Sequence, residues 1–283
     1  MPKPLAIILA LAFAYNVHAG EILYALDGTR EPTAFYQIGA DTGTISTIAI
    51  LPFPFFSSLA YDPLDDTLYS FNISNRFYKI DRVTGEATAI GSGPAFLGGT
   101  GLGFDSTRGR LVMVDEHTMY VVNTANGEKS FLANLSGNIG SFDLAYVPST
   151  DLFYTVHGEV LRSIHPTSGQ VNTVVSLDLP PNLGLVTIDY DVTSDRLIAI
   201  GTQFDGTFYH TLTYQIDPVS GTGAYLSTLQ KSNYLYTGAI AFAPGDSLPP
   251  DPEPIPEPGS FALAGLGGLI FFGYRRRYVV RKA

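Results

Sequence analysis

Between residues 20 and 247 the chain alternates apolar and polar positions in short runs punctuated by Gly, Asp, Asn and Ser, and no stretch sustains a helical period. The runs at 101–105, 110–115, 118–123 and 129–133 are typical: each reads as a short β-strand bounded by turn residues. The pattern repeats. An apolar residue followed five positions later by Gly occurs at Ile38/Gly43, Ile80/Gly85, Val122/Gly127, Ile164/Gly169 and Ile216/Gly221, at spacings of 42, 42, 42 and 52 residues. A second marker, an aromatic before a polar turn, occurs at Tyr61, Phe104, Tyr146, Tyr190 and Phe242, spaced 43, 42, 44 and 52. Both series place ten extra residues in the last unit, so they report one underlying repeat.

Four strands in about 42 residues, five times over, predicts an all-β chain folded as a five-bladed β-propeller over 20–247. The first unit starts at its second strand, 22–26, and the array ends on a lone first strand, 238–243. The C-terminal strand is therefore expected to complete the N-terminal blade, closing the ring and hiding sheet edges that would otherwise recruit other chains. The run Tyr78 to Gly85, Tyr-x-Ile-Asp-x-x-Thr-Gly, resembles the degenerate turn of a broad class of extracellular propellers. That class includes binding proteins, lyases and hydrolases, so the resemblance implies a fold and no activity.

The two ends read differently. Lys3, the apolar run 5–15 and Val17-His18-Ala19 form the three parts of a secretory signal peptide over 1–19, with cleavage expected after Ala19. Residues 248–259 form a stalk: six prolines in 248–258 exclude helix and sheet and favour polyproline II, roughly 30 Å long at about 3.1 Å per residue. Residues 260–283 read as a transmembrane anchor with a basic tail: apolar 261–274, then Arg275, Arg276 and Arg277, which the positive-inside rule keeps cytoplasmic. Fourteen residues before the arginines is short against roughly 20 for a full span, so the arginines are expected to snorkel.

Pro256-Glu257-Pro258, an apolar run rich in small residues and a terminal arginine cluster resemble, in that order, a PEP-CTERM sorting signal. The resemblance covers about the last 28 residues. It implies export in a Gram-negative, exopolysaccharide-producing bacterium, anchoring in the inner membrane and recognition of Pro256, Glu257 and Pro258 by an exosortase, a membrane transpeptidase. Delivery to the cell surface or extracellular matrix follows on the same reading.

Charge narrows the partners. Six basic residues lie at the ends, leaving residues 20–259 with 10 basic and 26 acidic side chains, a formal −16. Such a body repels nucleic acid, whose binding rests on phosphate neutralisation. With no cysteine, disulfides, thiol catalysis and cysteine metal sites are excluded.

Candidate chemistry is sparse, and no nucleophile elbow, phosphate loop or zinc spacing occurs. In a propeller, first-to-second and third-to-fourth turns share one face, here regular in length. The other face carries the irregular segments 27–33, 51–57, 201–208 and 230–237, all flanking the first and fifth blades. Phe53, Phe55, Phe204, Tyr234 and Tyr236 fall there, either to stack on sugar rings or to cap blade ends. Two carboxylates, Asp143 and Asp189, intrude among small first-strand residues that line the central channel. Each is expected either to bind a divalent cation such as calcium or act as an acid or base, or to hydrogen-bond a neighbouring blade. No other cofactor is called for. His165 replaces the Asp or Asn of equivalent turns and reads as a turn residue. The reading that results is a non-enzymatic envelope or matrix protein whose propeller binds polysaccharide. The rival is a glycan hydrolase or lyase drawing on Asp143, Asp189, Glu116 and Glu159, which requires two of them to flank one cleft.

Overall fold

The computed structural model describes residues 22–27, 32–52, 56–72, 76–91, 101–115, 117–139, 143–229 and 237–243. The expected signal peptide, stalk and anchor lie outside them, as do Phe53, Phe55, Glu116, Tyr234 and Tyr236. Among the described residues there are twenty strands and no helix, hence none long and apolar enough to cross a membrane.

The strands form five four-stranded antiparallel sheets. Blade 2 is β4 (Phe56–Asp62), β5 (Thr67–Asn72), β6 (Phe77–Ile80) and β7 (Ala87–Ile90). Blade 3 is β8 (Gly101–Asp105), β9 (Arg110–Val114), β10 (Thr118–Val122) and β11 (Lys129–Asn134). Blade 4 is β12 (Ala145–Val147), β13 (Leu152–His157), β14 (Val160–Ile164) and β15 (Val171–Ser176). Blade 5 is β16 (Leu183–Asp191), β17 (Arg196–Phe204), β18 (Tyr209–Ile216) and β19 (Gly223–Thr228). Blade 1 joins the chain's two ends: β1 (Ile22–Asp27), β2 (Thr33–Ile38) and β3 (Ile45–Leu51) are completed by β20 (Thr237–Ala243), which pairs with β1 from Ile22↔Ala243 to Leu26↔Ala239.

Ring closure is visible in the core. Among the described residues five apolar clusters occur, one in each cleft between adjacent blades, whereas an open row of five blades has four clefts. The closing cleft packs Ile198 and Ile200 of blade 5 against Leu23, Ile38 and Ile240 of blade 1. Second strands are covered on both faces by neighbouring blades and are mostly apolar and buried, as in β9 from Leu111 to Val114, whereas outer strands such as β15 are largely exposed. The marker glycines close the third-to-fourth turns at positive φ, 68° to 76°, a conformation glycine adopts without steric cost. Ahead of them Asp81 accepts the N–H groups of Val83 and Thr84, and His165 does the same with Nδ1 toward Thr167 and Ser168.

The extra residues of the last unit differ from expectation. They lengthen strands more than loops: the β17–β18 pairing runs from Leu197↔Ile216 to Phe204↔Tyr209, where the equivalent β13–β14 pairing runs only from Phe153↔Ile164 to His157↔Val160. Residues 201–204, read as part of an irregular segment, are the end of β17.

Candidate functional site

Innermost strands β20, β4, β8, β12 and β16 neighbour one another in a closed cycle, each with one edge free toward the axis. Free strand edges leave amide donors unpaired, and a buried donor without an acceptor costs about 1–3 kcal/mol. Asp143 and Asp189 answer this need. Asp143, 1% exposed, accepts from the Ile240 amide (3.0 Å) and the Thr187 hydroxyl (2.5 Å), and from the Leu59 amide as well. A side chain preceding blade 4 is thereby bonded to blades 5, 1 and 2. Asp189 accepts from the Phe242 amide at 2.6 Å, tying blade 5 to blade 1. Ile240 and Phe242 are two residues apart on one strand, so their donors lie about 7 Å apart. Burial raises both carboxyls: Asp143 well above the ordinary range, and Asp189 up to about 7.

At the regular face the channel opens into a cavity of about 240 Å³. Its wall takes one aromatic from every blade: Tyr61, Phe104, Tyr146, Tyr190 and Phe242, the five members of the second sequence marker. Small residues Ala60 and Gly103 let the strands converge; a Cβ on Gly103 would lie 2.7 Å from the Leu144 carbonyl oxygen. Asp189 is the one carboxylate in the described wall, and no basic residue joins it.

A recurrent device holds the tyrosines. The hydroxyls of Tyr61, Tyr146 and Tyr190 donate to Asp66 (2.8 Å), Asp151 (2.6 Å) and Asp195 (2.5 Å), each five residues on and each at positive φ, 53° to 54°. Blade 3 has Phe104, without a hydroxyl, and at the same offset Gly109, which adopts φ 59° unaided. Burial, then the carboxylate beside it, pushes the Tyr146 hydroxyl up to about 12. Arg108 lies bidentate on Asp151, both contacts 2.7 Å, which pins blade 3 to blade 4 and holds that carboxyl well below its usual range.

The opposite face carries the second candidate. The tip of the β17–β18 hairpin exposes Phe204 (40%), Phe208 (66%) and Tyr209 (57%), with the Phe204 and Tyr209 rings 4.8 Å apart. Asp205 organises the turn by accepting the N–H groups of Thr207 and Phe208, and His210 contacts it at 2.7 Å; the Phe208 amide first and His210 next hold its carboxyl at about 2. Phe208 and Tyr209 are not among the residues that the repeat pattern marks. The Asp205-Gly206 pair, a hairpin-turn signal flanked here by aromatics, was the available clue.

Of the four carboxylates considered for catalysis, Asp189 lines the cavity, Asp143 lies buried beneath it, Glu159 sits in the β13–β14 hairpin on the other face and Glu116 is outside the described residues. Among the described residues no group of three or more His, Asp or Glu side chains is placed to hold a metal ion.

The model of a family described as a repeat of unknown function (DUF6923) matches residues 23–186, more than half of the chain. The chain belongs to this DUF6923 repeat family. The PEP-CTERM protein-sorting motif matches residues 254–277. A DUF6923 propeller with that motif is an exported, membrane-associated protein of a Gram-negative bacterium, processed by an exosortase. No curated protein matches the chain. Among solved structures, a chain of the nidogen/laminin complex is 14% identical, covering 80% of this chain and 86% of that one, with a TM-score of 0.48. TolB from Acinetobacter baumannii is 12% identical, covering 81% and 67%, with a TM-score of 0.47. Neither likeness carries a ligand or an activity to the DUF6923 chain.

Proposed function

We propose that the chain is an envelope or matrix protein that displays its propeller as a non-enzymatic polysaccharide-binding module. On this reading residues 1–19 direct export, 20–247 bind, 248–259 space the propeller from the membrane, and 260–283 anchor it in the inner membrane until an exosortase acts at Pro256, Glu257 and Pro258. The protein then passes to the surface or extracellular matrix.

The observation that carries the reading is the aromatic tip of the β17–β18 hairpin. Three large rings held in water on a rigid two-stranded support form a platform of the kind that meets the apolar face of a sugar ring, and exposed apolar clusters generally mark interaction sites. Hydrolysis needs two carboxylates on one cleft, and Asp189 alone opens into the described cavity, which favours binding over cleavage.

The test is a glycan array, together with the exopolysaccharide of the producing bacterium, probed with the full chain in neutral detergent with and without calcium. Saturable binding to a defined class of glycan supports the reading. Absence of binding, or release of shortened glycan during incubation, contradicts it.

A further inference from the structure

The channel mouth lies on the other face from the hairpin tip, and its chemistry is different. Three facts about it converge. Its wall carries five aromatic rings, one from each blade, among proline and aliphatic side chains. Its tyrosine hydroxyls already donate to Asp66, Asp151 and Asp195, so they bring no free proton to a ligand. Its one charged group among the described residues is Asp189, set in a body of formal charge −16.

These facts sort ligand classes. An anion is repelled by Asp189 and by the net charge. A sugar or other polyol finds, beside Asp189, only the Ser106 hydroxyl and three tyrosine hydroxyls already committed as donors, in a wall otherwise of apolar side chains. A bare metal ion needs several oxygen ligands, and the wall supplies one carboxylate. A primary ammonium carries three N–H donors that one carboxylate cannot satisfy. An alkylated ammonium fits every condition: its methyl groups fill apolar space, its charge is attracted by aromatic rings and by the carboxylate, and it has little or no hydrogen-bonding demand. We propose that the channel mouth is a binding site for a small alkylated-ammonium cation, held by Tyr61, Phe104, Tyr146, Tyr190, Phe242 and Asp189.

Because Asp189 is held near neutrality by burial, binding a cation draws its proton off. Asp143 from the segment before β12 and Asp191 on its own strand, itself paired with Arg196, are the acidic neighbours. Tyr61, Tyr146 and Tyr190 share the wall. The charge on Asp191 opposes ionisation of Asp189 without a ligand and a bound cation favours it, so proton release accompanies uptake of the cation near pH 7.

The test is calorimetric titration of the full chain in neutral detergent with choline, and with 3,3-dimethylbutan-1-ol as its neutral isostere, each in two buffers of different ionisation enthalpy. The expected result is saturable choline binding, at least tenfold tighter than the isostere, with a buffer-dependent heat that reports proton release. Asp189→Asn, which keeps an acceptor for the Phe242 amide, should weaken choline at least tenfold and abolish the buffer dependence. Phe104→Leu, at the rim position that has no hydroxyl tie, should weaken choline several-fold with Asp189 intact. Equal affinity for choline and its isostere overturns the proposal, as does no choline binding at 10 mM or undiminished binding by folded Asp189→Asn. Phosphocholine as a further ligand separates sources: tighter than choline, it assigns a headgroup or choline-bearing glycan; weaker, a free cation.

Discussion

Asp143 accepts the amide of Ile240, 97 residues further along the chain, across the axis of the ring. That bond joins the segment entering blade 4 to the strand that closes blade 1, and the same carboxyl also holds Thr187 and Leu59. Replacing Asp143 with Ala leaves three buried donors without their acceptor and should cost about 3 kcal/mol or more in urea unfolding. Asp143→Asn keeps an acceptor oxygen and should cost clearly less. Equal losses would show that the channel requires the carboxyl itself, and that neither side-chain volume nor one acceptor oxygen suffices.

The raised carboxyl of Asp189 makes stability depend on pH. Between the unfolded value near 4 and the folded value of about 7, the folded chain holds a proton that the unfolded chain has released, so stability falls as pH rises through that window. Asp189→Asn removes the effect. Its stability relative to the parent should increase from pH 4 to pH 8, reaching about 1–3 kcal/mol, less than the full shift implies because the cavity leaves the group partly solvated. A difference between the two proteins that is flat with pH contradicts this assignment.

The Tyr190–Asp195 pair repeats the tie seen at Tyr61 and Tyr146, and Phe104–Gly109 shows its natural alternative. Tyr190→Phe and Asp195→Gly should each destabilise by about 0.5–1 kcal/mol. Together they should cost less than the sum, with a coupling of about 0.5 kcal/mol or more in a double-mutant cycle.

Closure predicts a difference between inner and outer strands. Ile240→Pro removes the donor that Asp143 accepts and breaks the strand that joins the chain's ends, so cooperative thermal unfolding should be lost. Thr88→Pro in the outer strand β7 disturbs only the rim of blade 2 and should leave a cooperative transition, lowered by a few degrees. Loss of cooperativity in both would contradict a ring held mainly at its closing blade.

Much of the fold was legible in the sequence because two unrelated markers kept the same register. The apolar-Gly marker is a turn that needs positive φ at Gly85 and its equivalents; the aromatic marker is the end of each first strand. Asp143 and Asp189 stood out against small residues at equivalent positions, and both bond other blades, Asp143 across the axis and Asp189 to its neighbour. The aromatic cavity was not legible. Taken singly, Tyr61 or Phe104 is an ordinary strand residue, and only closing the ring brings five equivalents to one mouth. The hairpin tip was half legible: Phe204 was visible as an aromatic in a long unit, but the strand pairing that carries Phe208 and Tyr209 into solvent depends on how far β17 and β18 remain registered.

The most direct test of the account is retention of purified exopolysaccharide from the producing bacterium by the full chain and by the variant carrying Phe204→Ala, Phe208→Ala and Tyr209→Ala. These side chains are exposed, so each replacement should change folding stability by no more than about 0.5 kcal/mol. Saturable binding by the parent and at least a tenfold loss in an equally stable variant are expected. Equal retention by the two proteins, or none by either, would contradict it.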